Sequence, residues 1–250
     1  MVRGVTAGPA VGLLGQTVLL GMLSATVGLT DAGWLTGLTV GTFVVIALAR
    51  GLEATQAAGL GPANIVTLIR ALLVGAIAAL TVSSLGSPGY TAAVVSLSIV
   101  ALLLDGVDGW VARRTGSQSE LGARFDYEVD AFLMLVLCVF IVPVVGWWVL
   151  LIGLARYAFV AAGWGLEWMR GTLPPRYWRK VVAATQGIVL TVVASQVLPS
   201  AIDVALLVFA LVLLTESFGR DVWWLWRRPS VQAQAWFSQA VRAASSSSTG

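Results

Sequence analysis

Eight apolar stretches follow one another along this chain, at about 9–29, 33–50, 65–84, 88–107, 124–143, 146–164, 181–198 and 201–218. Each is close to the roughly 17 to 25 residues that an α-helix needs to cross about 30 Å of hydrocarbon. Inside lipid a spanning segment must satisfy its own backbone N–H and C=O groups, so such stretches fold as helices. None of the sequence reads as a strand. Composition agrees: 58% of the 250 residues are hydrophobic, 11% are charged and the mean hydropathy is +0.89, well outside the range of ordinary soluble domains. The expectation is an all-α, polytopic membrane protein. The stretch behind Arg3 is long, and the remainder of the chain is equally hydrophobic, so it is expected to be a retained helix and not a cleaved leader.

Lysine and arginine in short loops stay on the cytoplasmic side of a membrane. With a cytoplasmic N-terminus the inside turns fall near 51–64, 108–123, 165–180 and after 219. These turns and the helix ends beside them hold the 15 Lys and Arg except Arg156, which lies within the sixth stretch, and the outside turns hold none. The expected location is therefore the cell inner membrane, with the cytoplasmic side carrying the positive charge. A net charge of +3 and a pI near 9.5 then suit an anionic leaflet; nothing resembles a basic nucleic-acid-binding fold. Tryptophans 34, 147, 148, 164, 178, 223, 224 and 226 cluster at expected helix ends, where indole sits well among headgroups.

Helices one and two, within residues 1–58, carry nothing that resembles a site and read as an accessory two-helix extension. A Gly-containing connector, Gly51 to Gly61, leads to Pro62, Ala63 and Asn64, a suitable helix start, with Thr67 and Arg70 on successive turns. Six helices complete a core over 59–219. In the remainder, 220–250, Trp223 to Arg242 has an interfacial composition and Ser245 to Ser248 is expected to be disordered.

Four of the 12 acidic residues, Asp105, Asp108, Asp126 and Asp130, fall within 26 positions at the facing ends of helices four and five. At about 100° per residue, Asp105 and Asp108 lie within about 60° of each other on their helix, and Asp126 and Asp130 within about 40° on theirs. The turn between them holds Gly116, Ser117, Gln118 and Ser119, so the helices can return antiparallel and bring four carboxylates together. Such a group is costly near lipid and repels itself unless neutralised. The chain has no histidine, and its single cysteine, Cys138, sits in an apolar helix where packing is its expected role. Oxygen-only ligands favour Mg²⁺ or Mn²⁺, and a pair of such ions suits displacement at phosphorus. The alternative is a solvated cluster paired with Arg113, Arg114 and Arg124, but that would not need Gly109 beside Asp108 or Gly122 one turn before Asp126. A missing side chain at those glycines lets a ligand approach the backbone, and Arg113 on the same face can hold a phosphate through both arms of its fork.

In order, Asp105, Asp108, Gly109, Ala112, Arg113, Gly122, Asp126 and Asp130 reproduce the DxxDGxxARx8GxxxDxxxD signature, and the chain resembles the CDP-alcohol phosphotransferases. The resemblance extends over about 60–218 and takes in Asn64, Thr67 and Arg70 as the family's NxxTxxR element. It implies a six-helix core, a homodimer, and transfer of a phosphatidyl group from a CDP-lipid, CDP-diacylglycerol being the expected donor, to an alcohol with release of CMP. By that resemblance Asp105, Asp108, Asp126 and Asp130 bind metal, and Asp130 also deprotonates the acceptor hydroxyl. Gly109, Ala112, Arg113, Ser119 and Gly122, with Asn64 and Thr67, contact the CDP-lipid.

The resemblance weakens downstream. Only Lys180 and Gln186 fit the GKxKTxxQ-like element of glycerol-phosphate-using members, and Phe125 to Val129 also differ, which leaves the acceptor open. Arg156, Arg179 and Lys180 are the candidate acceptor ligands; Arg170 and Arg176 are as readily explained by topology. Arg156 stands out because it interrupts a hydrophobic helix. A membrane prenyltransferase would also use Asp-bound Mg²⁺, but on two aspartate motifs far apart in sequence. A cation transporter would account for intramembrane carboxylates, but not for the Asp-Gly and Ala-Arg steps.

Overall fold

The structure is a computed structural model that describes residues 7–55, 62–85, 89–115, 120–171, 173 and 176–227. Eight α-helices lie among them, one for each apolar stretch, and no strand. They are α1 (Ala7–Thr26), α2 (Asp31–Thr55), α3 (Pro62–Ser84), α4 (Thr91–Thr115), α5 (Glu120–Val145), α6 (Leu150–Gly165), α7 (Tyr177–Ala194) and α8 (Ser200–Trp226). Several outrun their apolar part: α4 continues past 107 to Thr115, carrying its acidic residues on regular helix. Residues 228–250, most of the expected interfacial segment and tail, lie outside the described residues.

Among the described residues five segments are long and apolar enough to cross a membrane: Asp31–Gly51, Ile65–Ser84, Phe125–Val145, Trp147–Gly165 and Ser200–Trp226. Shorter apolar runs occupy Val11–Thr26 and Thr91–Val107. The sequence of α4 turns polar and charged from Asp105 onward; α7 carries Arg179, Lys180 and Gln186 within 18 residues. By length and composition the eight expected spans are thus matched for five of the described helices.

The bundle is organised around α3, which packs against α1 and α2 on one side and against α4 and α5 on the other. Val74, Ala76, Ile77, Ala79 and Leu80 are all buried, so the middle of α3 is covered all round, while Ile65 and Ile69 nearer its start are exposed. The N-terminal hairpin supplies half of that cover. Gly33, Gly37 and Gly41 recur every four residues of α2 and form one stripe. A Cβ at Gly33 would stand 2.1 Å from Ser83 Oγ and 2.8 Å from the Ala79 carbonyl oxygen, so here α2 and α3 are in backbone-to-backbone approach. At Gly37 the same test meets Leu20 of α1 at 2.7 Å and Ala79 Cβ at 3.2 Å. The Thr30 backbone N–H donates to Ser83 Oγ at 3.2 Å and closes the end of the contact.

Overpacking of a tight helix contact costs about 1 to 3 kcal/mol. Gly33→Val is therefore expected to lower the melting temperature in detergent, whereas Gly21→Val, where a Cβ meets nothing within 4 Å, should not. Equal melting of the two variants would contradict close docking of the hairpin.

Farther along, α5 carries Pro143 in its last turn and ends at Val145, and Gly146 turns the chain at φ +93°, a conformation that favours glycine. Trp148 Nε1 donates to the Val145 carbonyl at 2.8 Å and satisfies one of the orphaned helix-end acceptors. The chain then folds back as α6, whose Gly153 lies so close that a Cβ would reach Leu135 Cα at 2.8 Å and Cys138 Sγ at 3.3 Å. Cys138 is fully buried in that seam, the packing role expected of it.

Candidate active site

Three helix ends meet on one side of the bundle: the first turns of α3, the last turns of α4 and the first turns of α5. The i, i+4 spacing puts Asp126 and Asp130 on one face of α5, and Asp105 comes from α4. One oxygen from each of Asp105, Asp126 and Asp130 lies within 4.8 Å of the others. These carboxylates are 43%, 31% and 28% exposed respectively, so the cluster is half-open. It is a set of hard, anionic oxygen donors without nitrogen or sulfur, and that donor chemistry fits Mg²⁺ or Mn²⁺.

Behind the carboxylates sits Arg70 of α3, only 1% exposed. Its Nη1 lies 3.0 Å from Asp105 Oδ1 and donates to Asp126 Oδ1, while Nη2 donates to Asp130 Oδ1. One guanidinium on α3 therefore ties that helix to α4 and α5 through three acids. The sequence places Arg70 in a helix-start element without giving it a partner. A signal is nonetheless present in it: an arginine that interrupts an apolar helix demands a counter-charge, at Arg70 as much as at Arg156. Arg113, Arg114 and Arg124 were the partners of the alternative ion-pair reading; among the described contacts the acids pair with Arg70.

Of the other expected site residues, Thr67 is buried on α3 one turn before Arg70, and Gly122 lies one turn before Asp126 on α5. For Asn64, Asp108, Gly109, Ala112 and Arg113 the helical backbone of α3 and α4 is described and the side-chain surroundings are not; Ser119 lies outside the described residues.

The three candidate acceptor ligands fall into different settings. Lys180 and Tyr177, at the start of α7, line a cleft of about 380 Å³ together with Asp105, and Val181, Ala184 and Ile188 continue its wall along α7. Lys180 thus shares a space with one of the clustered acids. Arg156 of α6 is ion-paired with Glu128 and lies 5.9 Å from the Tyr127 ring centroid, on α5 beside Asp126. Arg179 Nε lies 3.5 Å from Asp221 Oδ2, and Arg176 Nη1 lies 4.0 Å from Oδ1 of the same buried carboxylate on α8. Arg156 and Arg179 are therefore each held by a protein acid, a partnership that the spacing along the chain did not reveal.

A family model described as CDP-alcohol phosphatidyltransferase matches residues 60–219. No curated protein and no solved structure matches the chain. The matched range begins two residues before α3 and ends within α8, so it contains every acid and base of the cluster and leaves out the α1–α2 hairpin.

Proposed function

The chain belongs to the CDP-alcohol phosphatidyltransferase family, and from that membership we propose that it transfers a phosphatidyl group from CDP-diacylglycerol to an alcohol acceptor, releasing CMP. The observation that carries the reading is the meeting of Asp105, Asp126 and Asp130 at one end of a bundle of apolar helices. Residues 59–219 are the catalytic core in this reading, and residues 1–58 are an extension that covers α3. The centre opens to the cytoplasmic face of the inner membrane, where the sequence concentrates lysine and arginine.

The aspartates of the centre would hold Mg²⁺ or Mn²⁺, a pair of ions suiting displacement at phosphorus, and the bound metal would supply positive charge to the diphosphate and its leaving group. Asp105, Asp108 and Asp126 hold that charge in place. Asp130, one turn beyond Asp126, also accepts the proton of the acceptor hydroxyl. As the acceptor oxygen bonds to the phosphatidyl phosphorus, the bond from that phosphorus to the CMP oxygen breaks and CMP leaves. No covalent intermediate with the protein is needed. Arg113, Gly109, Ala112, Ser119 and Gly122, with Asn64 and Thr67, hold the CDP part of the donor. Gly109 and Gly122 leave room for its approach.

Lys180 faces the acceptor from the cleft it lines with Asp105. Arg156 and Arg179, oriented by Glu128 and Asp221, stand ready for an anionic group on that acceptor. Protein in vesicles containing CDP-diacylglycerol should convert one member of a panel of glycerol phosphate, inositol species and amino alcohols into a new phosphatidyl lipid, identified by chromatography. Loss of one charged hydrogen bond corresponds to roughly tenfold or more, so Lys180→Ala should raise the KM of that acceptor by about tenfold with a small change in kcat. Absence of a lipid product with every acceptor, and with other CDP-alcohol donors, would contradict the reading.

A further inference from the structure

We infer that Arg70 is the built-in counter-ion of the carboxylate centre, and that it competes with the divalent cation for the same oxygens. The inference rests on the metal-binding reading above and goes beyond it, because it gives the metal-free protein a defined state.

Three carboxylates with oxygens inside 4.8 Å repel one another. Arg70 approaches them from the closed side of the cluster, and its two terminal nitrogens reach Asp105, Asp126 and Asp130 together. Its neighbours on α3, namely Thr67, Ala71 and Val74, are themselves buried, so the guanidinium stays beside the acids. The cluster is thereby partly neutralised, and α3, α4 and α5 can remain docked before a metal ion arrives.

The same contacts have a second consequence. Each oxygen that Arg70 occupies is one that a cation must share or take over, and the guanidinium remains as a positive charge a few ångströms away. Arg70 is therefore a positioning residue: it holds the ligands in register, and it keeps divalent-cation binding weaker than three free carboxylates would make it. The planar fork matters to the first role, since a lysine ammonium is a single point charge and cannot address three acids from two nitrogens.

The test is Mn²⁺ affinity, measured by competition with a chelator. Wild type, Arg70→Gln and Arg70→Lys are all purified with Mn²⁺, so that recovery of folded protein does not depend on Arg70. Removing a charge this close at an effective dielectric of about 20 should tighten Mn²⁺ binding by about tenfold or more. Arg70→Gln is thus expected to bind Mn²⁺ more tightly than wild type, and Arg70→Lys, which keeps the charge, to remain near wild type. After metal removal, Arg70→Gln should melt below wild type, with the gap closing when Mn²⁺ is restored. Equal or weaker Mn²⁺ binding by Arg70→Gln overturns the inference and leaves the metal centre standing. If wild-type protein binds no Mn²⁺, the metal centre itself falls and the inference goes with it.

Discussion

Asp130→Asn should lose acceptor-dependent CMP release by about 10²- to 10⁴-fold, the usual worth of a positioned general base, while the protein stays folded. Asparagine keeps the size of the side chain and an oxygen that can accept from Arg70 Nη2, so the joint between α3 and α5 persists. What it lacks is the ability to take a proton from the acceptor hydroxyl. The measurement is CMP release at saturating acceptor, alongside gel filtration and Mn²⁺ binding. Asp105 and Asp126 remain, so Mn²⁺ should still bind, more weakly than to wild type. Undiminished turnover in Asp130→Asn would remove Asp130 from the chemistry; loss of both turnover and fold would make it structural.

Asp126→Ala should act on the centre itself. Partners one shell out from a metal are commonly worth about 10- to 100-fold in affinity, and a direct ligand is worth at least that. Asp126 also accepts from Arg70 Nη1, so its loss frees part of the guanidinium to press on the incoming cation. Mn²⁺ affinity is expected to fall by about 100-fold or more, with CMP release falling in step, and chelation of wild-type protein should reproduce the loss reversibly. Glu128→Gln is the control. Glu128 lies two residues away but pairs with Arg156 and is no part of the cluster, so its amide variant should keep the Mn²⁺ affinity of wild type. Equal effects from Asp126→Ala and Glu128→Gln would mean that general charge, and not ligation, governs binding.

The helices were legible because a bilayer imposes length: segments of about 20 apolar residues leave few alternatives to a membrane helix. The convergence of Asp105 with Asp126 and Asp130 was legible too, since the i, i+4 spacing fixes one face of α5 and the two segments follow one another closely in the chain. The centrality of α3 was not. Gly33, Gly37 and Gly41 look like ordinary membrane-helix composition until their approach to Ser83, Ala79, Leu20 and Gln16 shows that the hairpin is docked and not merely appended. Ion pairs between helices were the other gap. Arg70 finds its acids at separations of 35, 56 and 60 positions, Arg156 at 28 and Arg179 at 42, and no local pattern links such pairs. Arg156 shows the hazard: its place in an apolar helix signalled a needed partner, and the partner described is Glu128 of the protein.

Phosphatidyl transfer at the aspartate centre is tested most directly by counting CMP and new phospholipid together. Purified protein in vesicles of CDP-diacylglycerol is given Mn²⁺ or Mg²⁺ and each acceptor in turn. One CMP per phosphatidyl product is expected, formed only with metal and with the matching acceptor, and absent with Asp130→Asn. CMP release that is indifferent to acceptor, metal and Asp130, or no release with any donor from folded, metal-bound protein, would contradict transfer at this centre.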